Sequence, residues 1–202
     1  MKSKLIIIGA GGHGKVCADI AMLNGYQDVV FLDDHAADRI AVAGPASDFT
    51  RYLSDGDFFV AIGNNTVRKN FIENILSAGG TLVSLIHPAS TVAETVSIGI
   101  GSVIMAGAVI NPGAAVGKGV IINTCSSVDH DCVIGDYTHI AVGAHLAGTI
   151  HIGEGVMIGA GATVINNLTV PDHTVIGAGG VVIKSISEKG TYVGVPVGKI
   201  GP

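Results

Sequence analysis

Tryptophan is absent from this 202-residue chain, which has only five Phe and four Tyr, so its core cannot be built around large aromatic rings. Charge is scarce as well: charged residues make up 13% of the chain against 48% apolar, which excludes a disordered polyampholyte. The net charge of −5 comes with no Lys/Arg run, which argues against nucleic acid and anionic membrane as partners. An anionic ligand must then be held by local features, either backbone N–H groups or a few placed cations. The three cysteines, Cys17, Cys125 and Cys132, form no C-x-x-C pair and no even set, so neither a disulfide framework nor a thiolate zinc site is expected. A reduced, cytoplasmic protein is the plain reading. The apolar stretch at residues 5–10 is too short for a membrane span and runs straight into glycine, so no signal peptide is expected either. What the chain does have is 30 glycines, which suits many short strands joined by tight turns and packed with small and β-branched side chains.

Two rhythms divide it. Residues 1–85 read as a small Rossmann-like βαβ domain. An apolar strand at 4–8 meets the glycine-rich turn 9–14, and a helix follows with Val16, Ile20 and Leu23 on its buried face. A second strand at 29–32 ends in Asp33-Asp34, and a third at 58–62 ends in Gly63-Asn64-Asn65. The next helix presents Val67, Phe71, Ile75 and Leu76. Strands alternating with helices predict a short parallel sheet.

Residues 86–202 obey a six-residue period. Val92, Ile98, Ile104, Ile110, Val116, Ile122, Val128, Ile134 and Ile140 begin a series that continues unbroken through Leu146, Ile152, Ile158, Val164, Val170, Ile176 and Val182. Four residues after most of these stands a small or β-branched residue, such as Ser102, Ala108, Ser126 or Ala144. This hexapeptide period predicts a parallel β-helix of three-sided coils, 18 residues per coil and about five coils long. Each periodic aliphatic points inward, where burial stabilises by roughly 1.5–3 kcal/mol. Glycines directly after it (Gly99, Gly117, Gly135, Gly153, Gly159, Gly177) are expected to supply the backbone angles of the corners.

One corner carries Asp129-His130-Asp131. A general base needs a pKa near 7, and an imidazole beside a carboxylate fits that task; the bland alternative is a solvated corner. His139 lies nine residues on, half a coil, and so faces away from His130 within one chain. Gly148 lies 18 residues on, one coil along, where its N–H can stabilise an oxyanion; the alternative is a tight-turn glycine. At the other end, Gly9-x-Gly11-x-x-Gly14 between strand and helix is a phosphate-site pattern. A dinucleotide cofactor is disfavoured by the short domain, by His13 in the loop, and by the lack of a second domain suited to hydride chemistry.

Four stretches, GAGGHGKV at 9–16, FLDD at 31–34, FFVAIGNN at 58–65 and INTCSSVDHDCVIGDYTHIAVGAHLAG at 122–148, together resemble the hexapeptide-repeat acyltransferases. The resemblance covers nearly the whole chain. It is narrowest to the N-acetyltransferases of UDP-4-amino sugars in bacillosamine-type glycan pathways and to their sialic-acid O-acetyltransferase cousins. It implies a left-handed β-helix, acetyl-CoA as co-substrate, and a homotrimer with active sites between subunits. The expected activity is N-acetylation of the 4-amino group of a UDP-4-amino-4,6-dideoxy sugar, with O-acetylation of sialic acid or another sugar hydroxyl as the alternative. By the same resemblance His130 is the general base and Asp131 its partner. His139, Gly148, Ala160 and Ala178 contact acetyl-CoA, while Gly11, Gly12, His13, Asp33, Asp34 and Gly63 bind the UDP-sugar. Arg68 is either a phosphate partner or a surface arginine.

Two rivals of other classes stand beside this. A β-helix carbonic anhydrase needs three histidines on one zinc, but His139 and His145 are a poor pair at six residues apart, so no metal is expected. A non-catalytic module would bind nucleotide and ignore acetyl-CoA.

Overall fold

The computed structural model describes residues 2–35 and 41–201, and the chain divides into two compact units, Met1–Pro88 and Ala89–Pro202. In the first, strands β1 (Lys2–Ile8), β2 (Tyr26–Leu32), β3 (Val42–Gly44) and β4 (Asp57–Val60) form a parallel sheet in the order β3-β2-β1-β4. Helix α1 (Gly12–Leu23) links β1 to β2 and helix α2 (Asn65–Ser77) follows β4, so the strands' carboxyl ends gather the turns at residues 9–11, 33–34 and 61–64. The central strand is apolar throughout because both of its faces are covered: Leu5, Ile6, Ile7 and Ile8 are fully buried.

Both helices bury a face different from the one the spacing predicts. On α1 the buried residues are Gly14, Cys17, Ile20 and Ala21, while Val16 and Leu23 stand in solvent. Close approach explains this. A side chain at Gly14 would run into the carbonyl of Gly9, so the helix packs on its smallest residues. On α2 the buried set is Arg68, Ile72 and Ile75; Phe71 and Leu76 are half-buried and Val67 is exposed.

In the second unit each hexapeptide gives one two-residue strand, and the strands stack into three parallel sheets: the first contains Ser127–Val128, the second Val133–Ile134 and the third His139–Ile140. Registers step by 18 residues, with Val128 opposite Leu146, Val116 opposite Ile134 and Ile122 opposite Ile140. The periodic aliphatics from Ile104 to Val182 are buried and form one core with Ala108, Ala114, Cys132, Ala144 and Ala162. A short hairpin, Thr191–Val193 with Gly198–Ile200, extends the third sheet at its end.

The corners work differently from the sequence expectation. Residues with positive φ recur three places after the aliphatic, among them Gly113, Cys125, Asp131, Gly143 and Thr149. The glycines directly after the aliphatic lie outside that region. They are small for another reason: at Gly99 or Gly135 a side chain would strike the backbone of the next coil. Stacking distance selects glycine there, and the left-handed turn falls where Asp131 stands.

Candidate active site

His130 and Asp131 occupy the turn between strands Ser127–Val128 and Val133–Ile134, an edge shared by the first two β-helix sheets. At φ +58° the backbone of Asp131 turns its carboxylate back on its neighbour, and Oδ2 accepts a hydrogen bond from His130 Nδ1 at 2.8 Å. Asp131 therefore reaches the imidazole directly. That bond places the proton on Nδ1 and leaves the lone pair on Nε2, the arrangement a general base needs. Asp131 is the main cause, and the charge of Asp129 a lesser one, of a His130 pKa above the ordinary 6.5.

Glycines on both neighbouring coils make room for this pair. A side chain at Gly148 would overlap the Nε2 edge of the His130 ring, and one at Gly113 would overlap Asp131 Oδ1. Gly148 has an ordinary φ, so its requirement for glycine is steric. Its N–H has a further property. The equivalent corner N–H groups of Lys118, Thr124, His130 and Glu154 donate to Asp136, Asn123, Asp129 and Asp172. Ala147 precedes Gly148 where Asp129 precedes His130, and the Gly148 N–H has no acceptor among the described residues. It is a donor left open beside the base. Gly148→Ala should keep the fold and displace the imidazole, lowering kcat about 100-fold, as a displacement near 1 Å does; steady-state kinetics with a melting curve separate the two effects.

The remaining β-helix residues lie on other surfaces of the prism. His139 starts a strand of the third sheet, where its Nε2 sits 3.0 Å from the Asn123 amide. Donation from that amide makes Nε2 the acceptor and His139 the neutral Nδ1–H tautomer. Nothing in the sequence pattern marked Asn123, although it stands one coil back from the residue after Ile140. Ala160 and Ala178 lie on the edge between the third and first sheets, one coil apart and both exposed. Within one chain, then, His130, Asp131 and Gly148 share one edge, while His139, Ala160 and Ala178 belong to the third sheet and its far edge.

In the first unit, Gly11 is the N-cap of α1 and no side chain caps that helix, so its leading N–H groups are open to an anion. The end of α2 is closed by contrast, since Asn64 Oδ1 accepts from the Val67 N–H at 3.0 Å. Asp33 braces the glycine loop: Oδ2 accepts from the Ala10 N–H at 2.6 Å and Oδ1 from the His35 N–H at 2.8 Å. Asp34 uses Oδ1 on the Ala46 N–H at 2.9 Å. Both aspartates border a cavity of about 230 Å³ with Ile8, Gly9, Val67 and Phe71. Gly11, Gly12 and Gly63 keep open space where a side chain would stand.

His13 follows that loop, and burial, with the Arg68 charge second, pushes its pKa down to about 4. It is neutral at any working pH. Arg68 is neither a surface residue nor a free phosphate partner. It is buried, Nη1 donates to the carbonyls of Ile62 and Gly63 at 2.9 and 3.1 Å, and Nη2 donates to Asn65 Oδ1 at 2.8 Å. Arg68 thus shapes the Gly63 turn. Cys17 does have an imidazole neighbour, His13 at 3.7 Å, but burial raises its thiol pKa and keeps it unreactive. No group of three metal-binding side chains occurs among the described residues, and no helix there is long and apolar enough to cross a membrane.

Comparison with known proteins finds matches for both units of the chain. Residues 4–75 match the PglD N-terminal domain, and residues 131–166 match the bacterial transferase hexapeptide family (six repeats). The chain is 31% identical over 162 residues to GDP-perosamine N-acetyltransferase of Escherichia coli O157:H7, covering 72% of this chain and 71% of that one. It is 36% identical over 110 residues to UDP-N-acetylbacillosamine N-acetyltransferase of Bacillus subtilis, covering half of each. Among solved structures, the acetyltransferase domain of PglB from Neisseria gonorrhoeae, in complex with acetyl coenzyme A, superimposes with a TM-score of 0.94. Its identity is 41%, over 99% of this chain and 100% of that one. With an α/β unit, a left-handed parallel β-helix and relatives of this kind, the chain belongs to the hexapeptide-repeat N-acetyltransferases of nucleotide-linked amino sugars.

Proposed function

We propose that the protein transfers the acetyl group of acetyl-CoA to the 4-amino group of a UDP-4-amino-4,6-dideoxy sugar, with His130 as general base. The observation that carries this reading is the His130–Asp131 pair at 2.8 Å, lying against Gly148 with its unused N–H. The neutral sugar amine attacks the thioester carbonyl while Nε2 takes the amine proton, a step worth about 10²–10⁴ in rate. Asp131 stabilises the imidazolium that forms, and the Gly148 N–H stabilises the oxyanion of the tetrahedral intermediate. Collapse breaks the C–S bond, and the coenzyme thiolate takes the proton back from Nε2. No metal enters any step.

The nucleotide half of the acceptor is assigned to the first unit. Its diphosphate meets the open end of α1 at Gly11, Gly12 and His13, and the nucleoside meets Asp33, Asp34 and Gly63 beside the cavity. Asp34 Oδ2 has no hydrogen-bond partner among the described residues and suits a ribose hydroxyl. The relative named for UDP-N-acetylbacillosamine favours UDP, whereas the perosamine relative favours GDP as the second reading.

Because the two groups of β-helix residues lie on separate edges, a complete site needs two copies of the chain. The reading is therefore a homotrimer in which His130 and Gly148 of one subunit meet His139, Ala160 and Ala178 of the next. The β-helix unit has four lysines, and three of them (Lys184, Lys189 and Lys199) fall near its end in sequence; Lys184 lines a cavity of about 280 Å³ with Ile186 and Tyr192, while Lys199 pairs with Glu188. These cations suit the phosphates of the coenzyme.

The test is thiol release from acetyl-CoA with UDP- and GDP-linked 4-amino sugars, and with sialic acid as the hydroxyl acceptor. Turnover is expected with the UDP-amino sugar first. Turnover confined to the hydroxyl acceptor, or none with any, overturns the proposal.

A further inference from the structure

A second acidic group, the residue before the proposed base, holds its backbone rather than its ring. Asp129 Oδ1 accepts two hydrogen bonds, from the His130 backbone N–H at 2.7 Å and from Asn111 Nδ2 at 2.8 Å. Asn111 stands on the preceding coil, 18 residues back, with its own N–H on the Val128 carbonyl at 2.9 Å. The elements packed around His130 supply few other polar groups. Asp131 lies on its own turn, the Cys132 thiol donates to the Ala147 carbonyl inside the prism, and Gly113, on the coil below, donates to Thr95 Oγ1. Among the described residues, Asp129 is the one side chain that ties the backbone of His130 to a neighbouring coil, beside the main-chain bond from the Thr149 N–H to the His130 carbonyl at 2.8 Å.

We propose that Asn111 and Asp129 act as positioning residues for the transfer reaction, a clamp that fixes the His130 backbone so that its ring lies on Gly148. The inference rests on His130 being the base. It assigns the two edge carboxylates different work: Asp131 orients the ring through Nδ1, and Asp129 orients the peptide that carries it. The side chain cannot do this alone, because His130 is exposed and its ring lies against a glycine. Asn111 also keeps Asp129 ionised, holding its pKa below the ordinary carboxylate value, so the clamp stays charged across the working range.

Exchanging the partners tests the clamp. Asn111→Asp sets two carboxylates against each other, and kcat is expected to fall about tenfold or more with little change in KM for acetyl-CoA. The double variant Asn111→Asp, Asp129→Asn restores one donor and one acceptor, and most of kcat should return. Imidazole ¹⁵N NMR gives a readout independent of turnover. The Nδ1–H tautomer of His130 should be lost or mixed in Asn111→Asp and regained in the exchange. A merely structural pair would lower the melting temperature and leave the tautomer unchanged. The clamp is overturned if Asn111→Asp keeps kcat within about twofold, or if the exchange recovers neither rate nor tautomer. If His130→Ala is itself active, the identity of the base fails first, and the NMR result still reports on the clamp.

Discussion

His130→Ala should lower kcat/KM by about 10²–10⁴ while leaving the fold intact. The two halves of that expectation have separate causes. The imidazole is the one group on its edge with a lone pair at Nε2 and a carboxylate bound at Nδ1, so no neighbour replaces it as base. Its side chain is 58% exposed and lies outside the prism core, so the melting temperature should stay close to that of the wild type. The pH profile adds a signature. Asp131, and to a lesser degree Asp129, raise the pKa of His130, so the reactive neutral form appears only as pH climbs through a midpoint above 6.5. Activity should therefore rise with pH across that midpoint in the wild type, and the residual rate of the variant should lack that limb. Kinetics across pH 5.5–8.5 with circular dichroism at each point check both.

Ile140→Asp should prevent the β-helix from folding. Ile140 is fully buried, pairs with Ile122 on one side and Ile158 on the other, and stands mid-stack in the core. An isolated carboxylate there loses its hydration and gains no partner, a penalty of several kcal/mol, comparable with the whole stability of a domain. Because each coil is registered on its neighbours, the defect is not confined to one strand. The variant should be recovered unfolded or aggregated, with its β-sheet circular dichroism lost. A soluble variant with a native spectrum would mean that position 140 does not point inward.

The inward position was plain from the sequence because a single period of six controls it. Sixteen aliphatics in one phase leave one register, and the structure follows it at every strand. The nearness of Gly148 to His130 was legible for the same reason, as arithmetic on the 18-residue coil. The helices were harder. Their buried faces depend on close approach to the sheet, which favours Gly14 and Ala21 over larger apolar residues, and on Arg68, a charge buried because three oxygens of the Gly63 turn receive it. A hydrophobicity pattern registers neither. The clamp of Asn111 on Asp129 and the Asn123 amide on His139 were hidden as well, since polar side chains at corners look alike until their partners on adjacent coils are placed.

Mixing inactive subunits gives the sharpest trial of a catalytic centre divided between copies. His130→Ala and His139→Ala are each expected to assemble with little activity. When they are denatured together in equal amounts and refolded, about one interface in four brings two unaltered imidazoles together, and acetyl transfer should return to roughly a quarter of the wild-type level. A mixture no more active than its parents, or a protein that sediments as an active monomer, would contradict the shared site.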